Sequence, residues 1–365
     1  MRIINIVDTL NPNSGVFDVI YTFHQELLKK GHQIDYIYLY DTERNLKNTL
    51  LEQKSKVLKV NTKDFLKNKR KVNKQVKKFI GNHDEDLIVH NHVLLLSNLM
   101  IPVLKKHIKK ATYIGHAHSS SISNSFIKKI RNKIMIIGIN KYYNQYWGCS
   151  KQAVGTWFGK KIVSSRKYSV IPNPVNCKKI EEAKRYKIRT KNKESITLGT
   201  VGRLEQEKNQ LFLLDIVKEI TKKEQSVELI IIGEGSLYGD LIKKAKNLNI
   251  SSKILLIEYL PKDKLYRKML TFDFFLFPSQ SEGLGNVLIE AQMLGVNSFA
   301  HDALPSESSL GKVSYLPLDV ELWTEKILMN FKNKNYNFNY ELTSHKYCIK
   351  ESANILEEKY LPFSI

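Results

Sequence analysis

The sequence predicts an α/β protein made of two doubly wound parallel-sheet domains. Three observations carry that prediction. The chain has 365 residues, room for roughly two domains of about 150 residues each. Short apolar runs alternate with helical patterns along most of it, and several of those runs are continuous rather than alternating, as strands covered on both faces are. The alternation stops in a polar, charged stretch after Pro172 and Pro174 and then starts again, which marks a boundary between two copies of the same architecture.

Taken in order, Arg2–Asp8 reads as a strand, Thr9–Gly15 as a polar loop, Val16–Lys30 as a helix stopped by Gly31, and Gln33–Tyr40 as the next strand. Asp64–Ile80 reads as one Lys-rich amphipathic helix. Strands follow at Asp86–His90 and Ala111–His116, with a helix over Val93–Lys109 between them, then at Tyr146–Ser150 and Tyr168–Pro172. Residues 1–174 form the expected first domain, 175–194 a linker and 195–340 the second domain. There the strands are Ser195–Val201, Val227–Gly233, Ile254–Glu258, Asp273–Pro278 and Val296–Ala300, and the helices Asn209–Glu224, Leu237–Asn247 and Asn286–Leu294. A last helical pattern, within 344–360, has no strand after it and is expected to pack back on the first domain.

The charge is lopsided. The chain carries a net +22, and residues 1–180 hold 32 Lys and Arg against 11 Asp and Glu, which is nearly all of the excess. No acidic residue occurs between Leu87 and Ile180. Such asymmetry points to an anionic partner. A hydrophobic fraction of 42% with 10% aromatics excludes general disorder. The three cysteines show no CxxC spacing, so a thiolate metal site is not expected. The N-terminal apolar run is too short for a signal peptide, and Val93–Leu104 is too short and too polar to span a bilayer. The expectation is a cytoplasmic protein.

The second half holds the sharpest constellation. Arg203 follows a strand and Lys208 precedes a helix, which puts two cations at the carboxyl edge of a parallel sheet, where such folds bind ligands. Two cations beside a helix N-terminus suit a diphosphate. Further on, Pro278-Ser279-Gln280-Ser281-Glu282-Gly283-Leu284-Gly285-Asn286 runs from a strand through a Gly-bearing loop into a helix containing Glu290. The glycines allow close backbone approach to a phosphate or sugar. From the residues alone, surface cations, a capping Glu282 and a surface Glu290 remain open.

In this order, Gly202-Arg203-Leu204, Glu207-Lys208-Asn209-Gln210, Phe277-Pro278-Ser279, Ser281-Glu282-Gly283-Leu284-Gly285 and Ile289-Glu290-Ala291 resemble the retaining family-4 glycosyltransferases of the GT-B fold, including the pair of glutamates with seven residues between them. Gly295, Asp302, Leu304-Pro305 and Leu316-Pro317-Leu318-Asp319 resemble the exopolysaccharide and capsule branch. The resemblance is clear over residues 196–330 and weaker before them. It implies two Rossmann-like domains facing across a cleft, the first receiving the acceptor and the second holding a nucleotide-diphospho sugar. It also implies roles. Arg203 and Lys208 neutralise the donor diphosphate as it leaves, Glu282 contacts the donor sugar and its phosphate, and Glu290 bonds the ribose hydroxyls. Backbone amides of the loop Gly283, Leu284, Gly285, Asn286 and Val287 cradle sugar and diphosphate. No metal or other cofactor is expected, and no DxD dyad argues for one. Ile257-Glu258-Tyr259-Leu260-Pro261 departs from the pattern near the base; the branch resemblance favours uracil over guanine.

Two places in the first half complete the implied site. Gly15, after Ser14, stands where the family brings a glycine backbone to the diphosphate, although many relatives have two glycines there. Gly115-His116-Ala117-His118 follows a strand, and the resemblance puts His118 beside the donor sugar with His116 second. Zinc is a lesser reading of this HisXHis, because His90 and His92 fall on a different strand and no carboxylate is near in sequence.

The basic half has its own reading. Eleven Lys and Arg crowd residues 54–78, and Phe126–Met135 is basic and amphipathic. An anionic membrane is the expected partner, together with a glycan or polyprenyl-diphosphate-linked acceptor, so the expected place is the inner face of the plasma membrane. The charge also allows a nucleic-acid-binding protein, but no nucleic-acid module appears and the diphosphate constellation would be left without a purpose. A sugar-nucleotide epimerase of the same fold leaves the basic face unexplained. The sequence does not speak to oligomeric state.

Overall fold

The structure, a computed structural model, describes residues 1–81, 87–122, 126–186, 194–223, 225–333 and 345–363. The chain divides into two compact units, Met1–Pro174 with Lys346–Ile365, and Val175–His345. Within the stretch expected as a linker, Cys177–Lys184 is a helix that buries Ile180 and Ala183 in the second unit; residues 187–193 lie outside the described residues.

The first unit is built on seven strands: β1 (Arg2–Thr9), β2 (Gln33–Tyr40), β3 (Val57–Lys59), β4 (Leu87–Asn91), β5 (Thr112–Ala117), β6 (Gln145–Gly148) and β7 (Tyr168–Val170). Their order is β3-β2-β1-β4-β5-β6-β7, with every pair parallel. Chain order runs outward from β1 on both sides, so the sheet reverses direction between β1 and β4. β1 and β4 are buried along most of their length, which explains why they read as continuous apolar runs. The core joins Ile3, Val7, Tyr36, Ile88, Ile114 and Trp147 to the helix Gly15–Lys29. The helix Ile349–Tyr360 packs back on that helix and adds Ala353, Leu356 and Tyr360 to the same core.

The expected single helix over Asp64–Ile80 is two helices, Thr62–Lys67 and Lys69–Ile80. Asn68 lies between them, and its side chain accepts from the backbone N–H of Lys71, which caps the second helix and breaks the first. The second helix buries Val72, Val76, Phe79 and Ile80, one apolar stripe at helical spacing, and turns its cations outward.

The second unit has six strands: β8 (Ile196–Val201), β9 (Val227–Ile232), β10 (Ile254–Ile257), β11 (Phe274–Phe277), β12 (Asn297–His301) and β13 (Val313–Leu316), in the order β10-β9-β8-β11-β12-β13. All are parallel, and this sheet reverses between β8 and β11. Leu198, Leu229, Ile231, Phe274 and Leu276 form its core with the helix Gln210–Lys222 and with Trp323 of the helix Val320–Lys332. Among the described residues no helix is long and apolar enough to cross a membrane.

Candidate active site

Open parallel sheets bind ligands beyond the carboxyl ends of their strands at the point of reversal. In the second unit that point lies past β8 and β11, where the sequence placed Arg203, Lys208 and the Glu282 loop. Lys208 Nζ donates to Glu282 Oε1 at 2.5 Å, both side chains being mostly buried. Arg203 is different: its guanidinium is 71% exposed and reaches Glu207 Oε1 at 3.0 Å. The two loops are tied together, because the Gln280 N–H donates to the carbonyl of Glu207 at 2.8 Å.

The glycine loop then turns into the helix Asn286–Met293. Gly285 caps it at φ 84°, a left-handed position, and a side chain there would press on the Phe277 ring. The first turn of a helix leaves its N–H groups without intrahelical partners, so Leu284, Gly285, Asn286 and Val287 sit where a helix start offers donors to an anion. A neighbouring close approach is just as strict. A Cβ on Gly233, after β9, would lie 1.9 Å from the Gly202 carbonyl oxygen, so the turn after β8 keeps its shape only with glycine behind it.

Glu290 is not a surface carboxylate. It is 5% exposed, Lys262 Nζ donates to its Oε1 at 2.5 Å, and its Oε2 is buried with no hydrogen-bond partner among the described residues. A buried carboxylate oxygen without a partner is costly unless something donates to it. Sequence reasoning missed Lys262. It stands at the start of the helix Lys262–Met269, directly after Pro261, and no motif spacing links it to Glu290. His301 was also missed; at the end of β12 its Nδ1 bonds the Ser279 carbonyl at 3.1 Å.

The first unit carries the other expected residues. Gly15 opens the helix Gly15–Lys29 beyond β1, and nothing lies within 4 Å of where its Cβ would be, so its backbone is open to approach. His116 lies in β5 and His118 just after it. The structure joins them to His90 and His92, because β4 and β5 are adjacent and parallel. Tyr360 OH bonds His90 Nδ1, and His90 Nε2 meets His116 Nδ1 at 3.0 Å. His118 Nε2 meets His92 Nδ1 at 2.7 Å, and His92 Nε2 meets Asn5 Oδ1 of β1 at 3.2 Å. The His116 and His118 rings stack, 4.2 Å between centroids. This cluster stands at the reversal of the first sheet and lines a cavity of about 10 Å³, the space of a single water.

Burial keeps these imidazoles neutral. It holds His118 down to about 4; His90, His92 and His116 lie well below the ordinary range through burial first and mutual repulsion second. Neutral imidazoles are metal ligands in type, and nitrogens of His90, His92 and His116 lie within 4.8 Å of one another. His90 Nε2 is taken up by His116 Nδ1 and both nitrogens of His92 by His118 and Asn5, whereas His116 Nε2 is buried with no hydrogen-bond partner among the described residues.

The chain is similar to known proteins. Residues 181–310 match the family model described as Glycosyl transferases group 1. EpsF of Bacillus subtilis (strain 168), whose name marks its own glycosyltransferase assignment as provisional, is 23% identical over 346 residues, covering 89% of this chain and 86% of EpsF. The capsular polysaccharide biosynthesis glycosyltransferase CapH of Staphylococcus aureus is 32% identical over 211 residues, 56% of each chain. Among solved structures, HepE of Anabaena in complex with UDP superposes with a TM-score of 0.67 at 14% identity, covering 100% of this chain and 97% of HepE. The fold is GT-B.

Proposed function

We propose that this chain, a glycosyltransferase with a group 1 domain on a GT-B fold, moves a sugar from a UDP-linked donor, with retention of configuration, to a membrane-associated glycan or polyprenyl-diphosphate-linked acceptor of cell-surface polysaccharide synthesis. The observation that carries the donor half is Glu290, buried, held by Lys262 on one oxygen and, among the described residues, unpartnered on the other. A ribose diol offers the donors that this oxygen lacks.

The chemistry follows from charge. A departing nucleoside diphosphate gains negative charge in the transition state, and fixed cations and helix-start amides stabilise it there. Lys208, paired with Glu282, and Arg203 supply the cations. Glu282 holds the donor sugar and keeps Lys208 in place between turnovers. The acceptor hydroxyl attacks the face that the diphosphate leaves, through an oxocarbenium-like state in which the leaving phosphate takes the hydroxyl proton. His118 contacts the sugar. No metal is needed in this scheme. Uracil is supported by HepE, solved with UDP.

Membrane association is supported by the first unit. Lys69, Arg70, Lys71, Lys74, Lys77 and Lys78 are all exposed, while the apolar stripe of their helix is spent on the core. Beside the cations Arg131 and Lys133, in contrast, Ile130, Ile134 and Ile137 are 48%, 61% and 70% exposed at a spacing of four and three. Bare isoleucines flanked by cations, two on the helix Phe126–Met135 and one in the turn just past it, fit the boundary of an anionic leaflet. These features support the reading of a cytoplasmic protein, peripheral on the inner face of the plasma membrane.

Thermal denaturation with UDP, GDP and a panel of UDP-sugars tests the donor, since a ligand stabilises in proportion to the logarithm of its occupancy. UDP and at least one UDP-sugar should raise the melting temperature and GDP should not. No shift with any nucleotide would sink the donor assignment. The anomeric signals of the product test retention, and transfer unchanged in EDTA tests metal independence.

A further inference from the structure

We infer that Asn5 and His92 are positioning residues that lock His118 in one tautomer, with Nε2 protonated and Nδ1 bare, so that the group it receives is a sugar hydroxyl rather than an ionised oxygen. The inference rests on the proposed reading of His118 as a sugar contact.

The lock is a matter of counting protons. The side-chain oxygen of Asn5 can only accept, so His92 Nε2, 3.2 Å away, carries the hydrogen. His92 is partly buried, and that desolvation holds it neutral; a neutral imidazole has one N–H, so its Nδ1 is bare. His118 Nε2, 2.7 Å from that bare nitrogen, must then donate. His118 is neutral as well, which leaves its Nδ1 as a lone pair. Among the described residues that nitrogen has no hydrogen-bond partner. Which nitrogen of a histidine is protonated is set by the bond that the other one makes; here the setting starts at an amide two residues removed and passes through a second imidazole.

Three adjacent strands build the lock. Asn5 lies on β1, paired in register with His90 of β4. His92 follows β4, and its N–H donates to the Ile6 carbonyl of β1 at 3.0 Å. His118 follows β5, the next strand over. The second branch, Tyr360–His90–His116, stacks against it through the His116 and His118 rings and limits their rotation. A bare imidazole nitrogen accepts from a hydroxyl and repels a carboxylate or phosphate oxygen, so His118 sorts the group beside it by chemical class.

Long-range ¹H–¹⁵N correlation on histidine-labelled full-length protein at pH 7 reads the tautomers directly. The wild type should show His92 and His118 both protonated at Nε2. Asn5→Leu should turn the His118 signals into a mixture of tautomers and lower kcat roughly tenfold, with the KM for the nucleotide sugar within about twofold. Asn5→Asp, which still only accepts, should restore the single tautomer and most of kcat. The lock is overturned if wild-type His118 is protonated at Nδ1, if Asn5→Leu leaves its signals unchanged, or if the purified protein holds one equivalent of zinc that occupies these nitrogens. A protein that shows the lock but transfers no sugar refutes the proposed reaction and leaves the lock standing.

Discussion

Lys262 and Glu290 form a pair in which one carboxylate oxygen is held at 2.5 Å and the other is buried without a partner among the described residues. Lys262 thus orients Glu290 without satisfying it, and in the proposed function the ribose supplies what it lacks. Glu290→Gln keeps the shape and removes the charge; it should weaken UDP binding about tenfold, while UMP and UDP lose affinity together because both carry the ribose. Calorimetric titration of the two nucleotides checks this. Unchanged affinity would mean that Glu290 faces something other than the ribose.

Lys208 and Glu282 are mostly buried partners, so removing either leaves a charge without its mate. Lys208→Ala and Glu282→Ala should each lower transfer by about 10²-fold or more while the folded protein keeps its circular dichroism spectrum. Arg203→Ala, at an exposed side chain, should cost less. Wild-type rates in the Lys208 or Glu282 variants would refute the site.

Ile130, Ile134 and Ile137 touch water in the free protein. Replacing all three with Ser should leave the melting temperature within a few degrees and reduce flotation with anionic liposomes severalfold. Raising salt to about 0.5 M should weaken binding of the wild type, because the Lys and Arg contribution is screened. Equal flotation with neutral vesicles would refute the electrostatic part.

Acid should destabilise the first unit in a defined window. Burial holds His24 and His118 near 4, against 6.5 in a free chain. As pH falls through 6.5 the unfolded chain takes up protons that the folded chain refuses, so stability is full above that value and declines from about 6.5 toward 4. The melting temperature should therefore be flat above pH 7 and fall below 6.5. His24→Phe keeps a ring against Tyr21 and removes one proton from the balance, so its decline should be shallower. A flat profile down to pH 5 contradicts the buried neutral state.

The parts of this molecule that were legible in the sequence are those that repeat locally. Val227–Ile232 is apolar because both its faces are covered, and a run of that kind announces itself. The order of strand end, turn and helix around Arg203, Lys208 and Glu282 was legible for the same reason. Strand order was not. His90 and His92 looked remote from His116 and His118 because β4 and β5 are separated in sequence by a whole helix; adjacency in a parallel sheet is decided by the crossover. Three-residue β3 is too short to show a period, and the pattern over Asp64–Ile80 hid the break at Asn68 because the apolar spacing runs almost unchanged through it. Lys262 was invisible for a simpler reason: a lysine after a proline is ordinary, and only the fold brings it to Glu290.

The returning helix Ile349–Tyr360 has a consequence for synthesis. It completes the core that begins with Ile3, and Glu357 bonds Lys30 and His32, so the start of the chain waits for its finish. During translation the second unit emerges whole while the first still lacks its final covering, and residues such as Val19, Ile20 and Phe23 remain only partly roofed. The first unit therefore closes only once Ile349–Tyr360 has been made, after the whole of the second unit.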